Sequence, residues 1–458
     1  MMMNFLMLAA LAANPYLPSW EHVPDAEPRI FGDRLYVYGS HDRSGGWDFC
    51  LEDYVGWSAP TNDLSAWRKE GVIFAKTDDP SNRDGKAPLY APDCVRGLDG
   101  RYYLYYALDR AARTIGVAVC DTPAGRFRYL ADVHYEDGTI LGLRKGDDRP
   151  FDPAVLVDDG RVFLYLGGEG SAASVTELKT DMVTALARPK PIVPNGRDAA
   201  GTEFEGHGFF EASSIRRIDG EYVFVYAGQR IHELCWATAT NPCGPFRYRG
   251  VLVSNTDLGV SDRPLAAGGN IHGGLVQLGG DWYIFYHRQT QNISFSRQGC
   301  AERLERGPDG AFRQAALTSQ GLHGGPLPGR GEYPAYIACN LFLEKSSEEF
   351  ANDAKAYPRI VEERVAGIVD GTVVGVKYFD CRGVKTVSVT TRGWADGRWE
   401  VRTDLNGPAV ATLVTRRSLD WERTAATAEI PDGVHALYFT FRGPHGCGAP
   451  DLKSIALD

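Results

Sequence analysis

The sequence predicts an all-β protein in which a five-bladed β-propeller, over residues 14–325, is followed by a β-sandwich over residues 332–458. The first observation behind this prediction is an aromatic-rich apolar segment that recurs five times, with starts 67, 60, 60 and 60 residues apart. The second is a pair of turn-forming residues, Asp-Gly, Gly-Asp or Gly-Gly, directly before each segment. The five segments begin at Arg34, Arg101, Arg161, Glu221 and Asp281.

Each recurring segment is preceded, before its turn, by another short apolar run such as residues 154–157 or 275–278. Two apolar runs joined by such a turn predict a β-hairpin, and the rest of each unit is long enough for two further strands. A fixed period of about 60 residues without helical periodicity is typical of a propeller, whose blades are four-stranded sheets around a central channel.

The repeat ends in a Gly- and Pro-rich stretch, residues 321–331, which predicts a linker between two domains. A chain of 458 residues also exceeds the length at which one hydrophobic core usually stops growing. Beyond the linker, residues 372–379, 386–390 and 435–441 have strand-forming composition and are separated by turns. This pattern predicts an antiparallel sandwich.

Composition limits the classes of partner and the compartment. The formal net charge of −10 argues against a nucleic-acid partner, and no apolar run approaches the roughly 18 residues needed to span a membrane. Residues 5–13 have the length of a signal-peptide core, but no Lys or Arg precedes Arg29. The nine cysteines include no CxxC pair, which favours reduced thiols. We therefore expect a cytoplasmic protein, with secretion as the alternative if residues 1–13 act as a weak signal peptide.

The first strand of each blade is expected to bring one ionisable residue to the channel, eight to ten residues before a recurring segment starts. These residues are Asp25, Asp93, Asp152, Glu211 and His272. Carboxylates crowded around one channel shift each other's pKa, so that one stays protonated while another stays ionised. Glycoside hydrolysis requires that pair of states, and opposite channel walls suit the wider spacing that gives inversion. The alternatives are ordinary turn residues, or a propeller that binds glycan without cleaving it.

Five sequence motifs occur in order along the propeller region. They are residues 24–28 with 33–42, 90–93, 151–153 with 157–160, 208–216, and 269–273 with 285–288. With these motifs the region resembles glycoside hydrolase family 43, whose members are five-bladed propellers acting mainly on α-L-arabinofuranosyl and β-D-xylosyl linkages.

The resemblance implies a role for each channel residue. It implies that Asp25 is the general base, Glu211 the general acid, and Asp152 the residue that orients the acid and sets its pKa. It also implies a sugar subsite, comprising Tyr90, Asp93, His272 and Arg288. The family's histidine lies beneath the sugar, often near bound calcium or a water cluster. We therefore expect that the protein requires no cofactor. The one metal to consider is calcium, held through water in the channel near His272.

One departure from the family pattern leaves the base open. Ala26 follows Asp25 where many relatives have proline, so Glu27 is a rival for the base. A strand would place Asp25 and Glu27 on the same face, and the spacing does not decide between them. Glu203 and Glu205 are lesser rivals of Glu211.

The C-terminal region carries a second resemblance, because residues 433–439 and 451–455 are similar to the last strands of a family 6 carbohydrate-binding module. This domain is expected either to bind glycan or to pack on the propeller and contribute one side of the pocket. The whole chain is expected to be an inverting, exo-acting glycosidase that removes terminal arabinofuranosyl or xylosyl residues from plant polysaccharides or oligosaccharides. A β-galactofuranosidase of the same fold is the alternative enzyme.

Overall fold

The structure, a computed structural model, describes residues 12–108, 113–168, 170–345, 358–444 and 450–458. Most of residues 1–13, on which the secretion alternative depends, lie outside the described residues. No helix in these ranges is long and apolar enough to cross a membrane. Helical structure is confined there to short 3-10 turns at Lys76–Asp78, Gly321–His323 and Ala335–Ile337.

The predicted propeller is confirmed, since five sheets, built mainly from antiparallel pairs, follow one another along the chain. The first comprises β1 (Glu27–Phe31), β2 (Arg34–Tyr38), β3 (Tyr54–Pro60) and β4 (Arg68–Phe74). The second comprises β5 (Leu89–Arg96), β6 (Tyr102–Leu108), β7 (Thr114–Cys120) and β8 (Arg128–Asp132). The third contains β9 (His134–Tyr135), β10 (Ala154–Asp158), β11 (Arg161–Leu166), β12 (Ala173–Leu178), β13 (Thr184–Ala185) and β14 (Lys190–Val193). The fourth comprises β15 (Phe209–Ile218), β16 (Glu221–Gly228), β17 (Glu233–Ala239) and β18 (Arg247–Ser254), and the fifth β19 (Leu275–Leu278), β20 (Asp281–Arg288) and β21 (Gln298–Leu304).

The recurring segments form the second strand of each blade, and the turn residues before them explain the hairpins. In the third blade Asp158 pairs with Arg161, which leaves a two-residue loop of Asp159 and Gly160. Both loop residues have positive φ, 48° and 73°. Such a turn matches the right-handed twist of the flanking strands, and Asp-Gly is among the sequences that favour it.

The hydrophobic cores of the propeller lie between neighbouring blades. Tyr38 of the first blade shares one apolar cluster with Tyr106 of the second, and Val225 of the fourth shares another with Ile284 of the fifth. Each blade is therefore covered on both faces. This explains why the second strands are almost continuously apolar rather than alternating.

The ring is closed by the N-terminal segment. The backbone N–H of Tyr16 donates to the carbonyl of Gly299 in β21 over 3.2 Å, so this segment runs beside the outer strand of the fifth blade. Closer to the axis, Ala26 and Gly273 form a parallel bridge between the first and fifth blades. Residues far apart in sequence therefore meet at the channel.

The C-terminal domain is a sandwich of two sheets, as predicted. One sheet contains β22 (Leu327–Pro328), β24 (Asn340–Leu343), β27 (Thr372–Asp380), β29 (Gly397–Arg402), β30 (Ala411–Thr415) and β32 (Val434–Arg442). The other contains β23 (Gly331–Pro334), β25 (Arg359–Val361), β26 (Arg364–Ala366), β28 (Thr386–Gly393), β31 (Ser418–Thr427) and β33 (Asp451–Leu457). Because β22 already pairs with β27, this domain begins slightly before the expected residue 332.

The sandwich packs directly on the propeller through buried polar contacts. Lys377 Nζ lies 2.8 Å from Oδ2 of Asp257, and both side chains are almost completely buried. Asn340 Nδ2 donates to the same carboxylate oxygen over 3.1 Å. On another side, the Ile360 N–H donates to the Thr290 carbonyl over 2.8 Å. The domain contact therefore depends on a buried ion pair as well as on apolar packing.

Removal of the Lys377 ammonium is expected to destabilise this contact. Lys377→Met leaves the Asp257 charge buried without its cation, and breaking a buried pair in this way typically costs about 3–5 kcal/mol. Thermal unfolding of the full chain measures the effect, with the exposed Lys385→Met as the control. Equal unfolding midpoints for the two variants would contradict the assignment.

Candidate active site

A cavity of about 400 Å³ opens where the five blades meet. Five of the residues predicted from the sequence line it: Asp25, Tyr90, Asp152, Glu211 and His272. Asp25 and Asp152 lie two residues before β1 and β10, and Glu211 lies within β15 beside a bulge. The innermost strands therefore bring together carboxylates that are up to 186 positions apart in the sequence.

Asp25 lies almost fully buried between two basic side chains. Arg297 Nη1 donates to Asp25 Oδ1 over 3.0 Å, and Nδ1 of His287 lies 3.1 Å from the same oxygen. Burial by itself raises the pKa of Asp25, but the Arg297 charge and the His287 contact outweigh it and hold that pKa far below its ordinary value. Asp25 is therefore an ionised carboxylate at any physiological pH.

Arg297 is itself fixed by a second carboxylate. Its Nε donates to Asp42 Oδ2 over 2.8 Å and its Nη2 to Oδ1 over 3.0 Å, which is a bidentate pairing. The guanidinium also lies over the Phe49 ring, 4.9 Å from its centroid. Asp42 thus holds Arg297 in place, and Arg297 in turn contacts Asp25.

Asp152 connects the cavity to the backbone around Glu211. Its Oδ2 accepts a hydrogen bond from the Ala212 N–H over 2.8 Å and lies 3.5 Å from Nδ1 of His272. Burial by itself lowers the pKa of His272, but Asp152, and then Asp25 and Glu27, raise it to about 9. His272 is therefore a cation at neutral pH and balances the surrounding carboxylates.

Aromatic side chains form another wall of the cavity. The rings of Tyr90 and Phe151 meet edge to face at 5.2 Å. The guanidinium carbon of Arg113 lies 4.1 Å from the Phe151 centroid. Apolar ring surface beside charged groups is the combination that a polar ligand with C–H faces, such as a sugar, requires.

Several residues around the cavity have strained backbone conformations. Asp25, Asp152 and Ala212 have φ values of 57°, 44° and 69°, and the β-branched Ile231 has 57°. Each such conformation costs roughly 1–3 kcal/mol and persists only where surrounding structure enforces it. Their concentration around one cavity supports a functional role for it.

Comparison with known proteins agrees with this geometry. The family model described as glycosyl hydrolases family 43 matches residues 31–312. A protein named xylosidase/arabinosidase from Thermoclostridium stercorarium is 49% identical over an alignment that covers 97% of this chain and 98% of its own. The chain belongs to glycosyl hydrolase family 43. It is a glycoside hydrolase, as the motifs predicted.

More distant similarities extend over almost the whole length of this family 43 enzyme. An arabinoxylan arabinofuranohydrolase from Paenibacillus polymyxa is 28% identical, over 96% of this chain and 72% of its own. A solved arabinoxylan arabinofuranohydrolase from Bacillus subtilis superposes with a TM-score of 0.53 at 21% identity, covering 97% of both chains. At this identity the superposition shows a shared fold.

Two residues expected in the sugar subsite lie elsewhere in this family 43 enzyme. Asp93 is not among the cavity-lining residues, because its carboxylate is paired with Arg29, whose Nη2 lies 2.6 Å from Asp93 Oδ2. Arg288 is also away from the lining, since it is buried and its Nη1 donates to the Ala338 carbonyl over 3.1 Å. The arginines that line the cavity are Arg113 and Arg297, and neither belongs to the sequence motifs.

The rivals for the base and the acid are likewise engaged outside the cavity lining. Glu27 accepts from Arg216 Nη1 over 2.7 Å; burial alone would raise its pKa, but Arg216 and Arg29 lower it. Glu203 and Glu205 are exposed on the surface. The geometry therefore favours Asp25 and Glu211 over these alternatives.

His272, near which calcium held through water is expected, lines the cavity, and its Nδ1 lies 3.5 Å from Asp152 Oδ2. Among the described residues, His207, Glu233 and Cys235 bring three metal-binding atoms within 4.8 Å of one another. There His207 Nδ1 already contacts Glu233 Oε1 at 2.7 Å as a hydrogen-bonded pair.

Other cavity-lining residues lie outside the repeat positions and motifs from which the site was predicted. They are Phe49, Arg113, Ile231, Ser294 and Arg297. Most of them lie in loops between strands, where position in the repeat does not fix position in space. The cavity-lining residues in the described part of the chain all come from the propeller, so the sandwich supplies none of them.

Proposed function

We propose that this enzyme removes terminal α-L-arabinofuranosyl or β-D-xylosyl residues from oligosaccharides or polysaccharides, with inversion at the anomeric carbon. The observation that carries the proposal is a cavity that combines an ionised carboxylate, Asp25, with Asp152 and Glu211. Its volume of about 400 Å³ is near the lower end of the range for small-molecule sites, which suits one terminal sugar. The names of the relatives from Thermoclostridium stercorarium and Paenibacillus polymyxa support the choice of sugars.

In the proposed reaction Asp25 acts as general base. It takes a proton from a water molecule as the water oxygen forms a bond to the anomeric carbon. Glu211 gives its proton to the glycosidic oxygen as the bond from that oxygen to the anomeric carbon breaks. One bond forms and one breaks on opposite faces of the sugar, so the configuration inverts.

Asp152 and His272 position these groups. Asp152 accepts from the N–H of Ala212, directly after Glu211, and so restrains the backbone that carries the acid. Positively charged His272 lies beside Asp152 and lines the cavity, where it offers a hydrogen-bond donor to a sugar hydroxyl. Tyr90 and Phe151 offer ring surface to the sugar's C–H groups.

Hydrolysis of nitrophenyl glycosides tests the choice of sugar and the stereochemistry together. We expect turnover of the α-L-arabinofuranoside or the β-D-xyloside, and proton NMR of the first product should show the inverted anomer. Turnover of the β-D-galactofuranoside alone would replace the proposed sugar. A retained anomer would contradict the roles given to Asp25 and Glu211.

Glu211→Gln removes the proposed acid while preserving shape. We expect kcat on an arabinoxylan-derived oligosaccharide to fall by about 10²–10⁴-fold, the typical contribution of acid catalysis. The loss should be smaller on a nitrophenyl glycoside, because nitrophenolate needs little protonation to leave. Glu205→Gln, an exposed neighbour, is the matched control, and equal losses on both substrates would contradict the assignment.

Arg297→Met is expected to shift the acidic limb of the pH profile. Arg297 lowers the pKa of Asp25, so removing its charge raises that pKa, and the base becomes protonated at a higher pH. The acidic limb of kcat/KM should therefore move to higher pH. Arg297→Lys keeps the charge, so its acidic limb should lie closer to that of wild type. Unchanged acidic limbs in both variants would rule out Asp25 as the base.

A further inference from the structure

A second groove, of about 470 Å³, lies between the propeller and the sandwich. The N-terminal segment of the propeller contributes Ser19 and Trp20. The sandwich sheet that contains β28, β31 and β33 contributes Arg392, Trp421 and Lys453. The turn after β25 adds two carboxylates, and β26 begins with a further arginine, Arg364. Neither Trp20 nor Trp421 has a role in the proposed reaction.

The groove presents two indole rings among charged groups of both signs. Trp20 is 58% exposed, which is unusual for so large an apolar side chain. The Arg392 guanidinium carbon lies 4.4 Å from the Trp421 ring centroid, and Lys453 Nζ lies at 5.7 Å. These cations support the ring and add hydrogen-bond donors beside it.

The arginines of the groove are held by a shared carboxylate. Asp451 Oδ2 accepts from Arg364 Nε over 3.0 Å and lies 3.6 Å from Arg392 Nη2. With Glu362 and Glu363 present as well, the groove has no strong preference for an anionic or a cationic ligand. Ring surface with both donors and acceptors suits an uncharged ligand rich in hydroxyl groups.

One segment of the chain contributes to both the groove and the cavity, and a second joins the cavity to the sandwich strand that precedes the groove. The N-terminal segment supplies Trp20 to the groove and, five residues later, Asp25 to the cavity. In the loop after β20, the Thr290 carbonyl accepts a hydrogen bond from β25 of the sandwich. The same loop lines the cavity with Ser294. Five residue steps from Trp20 in the groove to Asp25 in the cavity span at most roughly 18 Å, a distance of a few sugar units. A chain that leaves the cavity can therefore reach the groove.

We propose that this groove binds the main chain of the polysaccharide whose terminal sugar enters the cavity. The inference rests on the proposed function, because an exo-acting enzyme holds one sugar in its cavity while the remainder of the polymer extends outward. Trp20 and Trp421 then supply stacking surfaces, and the arginine, lysine and glutamate side chains bind hydroxyl groups. The sandwich acts as one wall of an extended binding site that begins on the propeller.

Trp20→Ala and Trp421→Ala test the groove in the Glu211→Gln background, in which the polymer is bound and not consumed. Retardation in native gels that contain soluble arabinoxylan measures affinity. Each variant should bind about tenfold more weakly, the effect expected when one aromatic stacking contact is lost. Trp394→Ala is the matched control, since this tryptophan is 68% exposed and lies outside the groove lining.

A second readout uses the same tryptophan substitutions in the active enzyme. The ratio of kcat/KM on arabinoxylan to kcat/KM on a nitrophenyl glycoside should fall in both groove variants and stay at the wild-type value in Trp394→Ala. The proposal would be overturned if Trp20→Ala and Trp421→Ala were retarded as strongly as the Glu211→Gln parent. Equal retardation of all three tryptophan variants would overturn it as well. If wild type hydrolyses no glycoside but its retardation still depends on Trp20 and Trp421, the proposed function fails while glycan binding by the groove stands.

Discussion

Charge compensation inside the propeller channel is the constraint on which the rest of the site depends. The innermost strands bring several carboxylates into the buried interior of the channel, and an unpaired buried charge is strongly destabilising. Three arginines meet this requirement: Arg29 pairs with Asp93, Arg216 with Glu27, and Arg297 with Asp42 and Asp25. The carboxylates are thereby divided between those paired with arginine outside the cavity lining and those that line the cavity.

This division explains how one channel holds carboxylates with different partners. Asp25 shares its arginine with Asp42 and keeps one face toward the cavity, so it stays ionised and yet accessible to water. Asp152 has a backbone N–H and a positively charged histidine as partners. Asp25 and Asp152 occupy equivalent positions in the repeat. The difference between their surroundings therefore comes from the groups that each side chain contacts.

The blades provide the rigidity that such a site requires. Each is covered by apolar residues on both faces, and the five sheets are closed into a ring by the N-terminal segment beside β21. The strained conformations of Asp25, Asp152 and Ile231 are maintained by this packing. The sandwich, fixed to the propeller by the Lys377–Asp257 pair, extends the same rigid surface away from the cavity.

The sequence by itself determined the architecture and most of the reactive set. Turn pairs such as Asp159-Gly160 and the regular spacing of aromatic strands are local signals, and a propeller converts equal positions in the repeat into one shared channel. Asp25, Asp152, Glu211 and His272 could therefore be predicted to meet. Only the tertiary structure decided that Asp93 is neutralised by Arg29, that Arg288 lies outside the cavity lining, and that Arg297 contacts Asp25. Those outcomes depend on which long side chains from different blades and loops come close enough to pair. The spacing of residues along the chain does not encode the distances between those side chains.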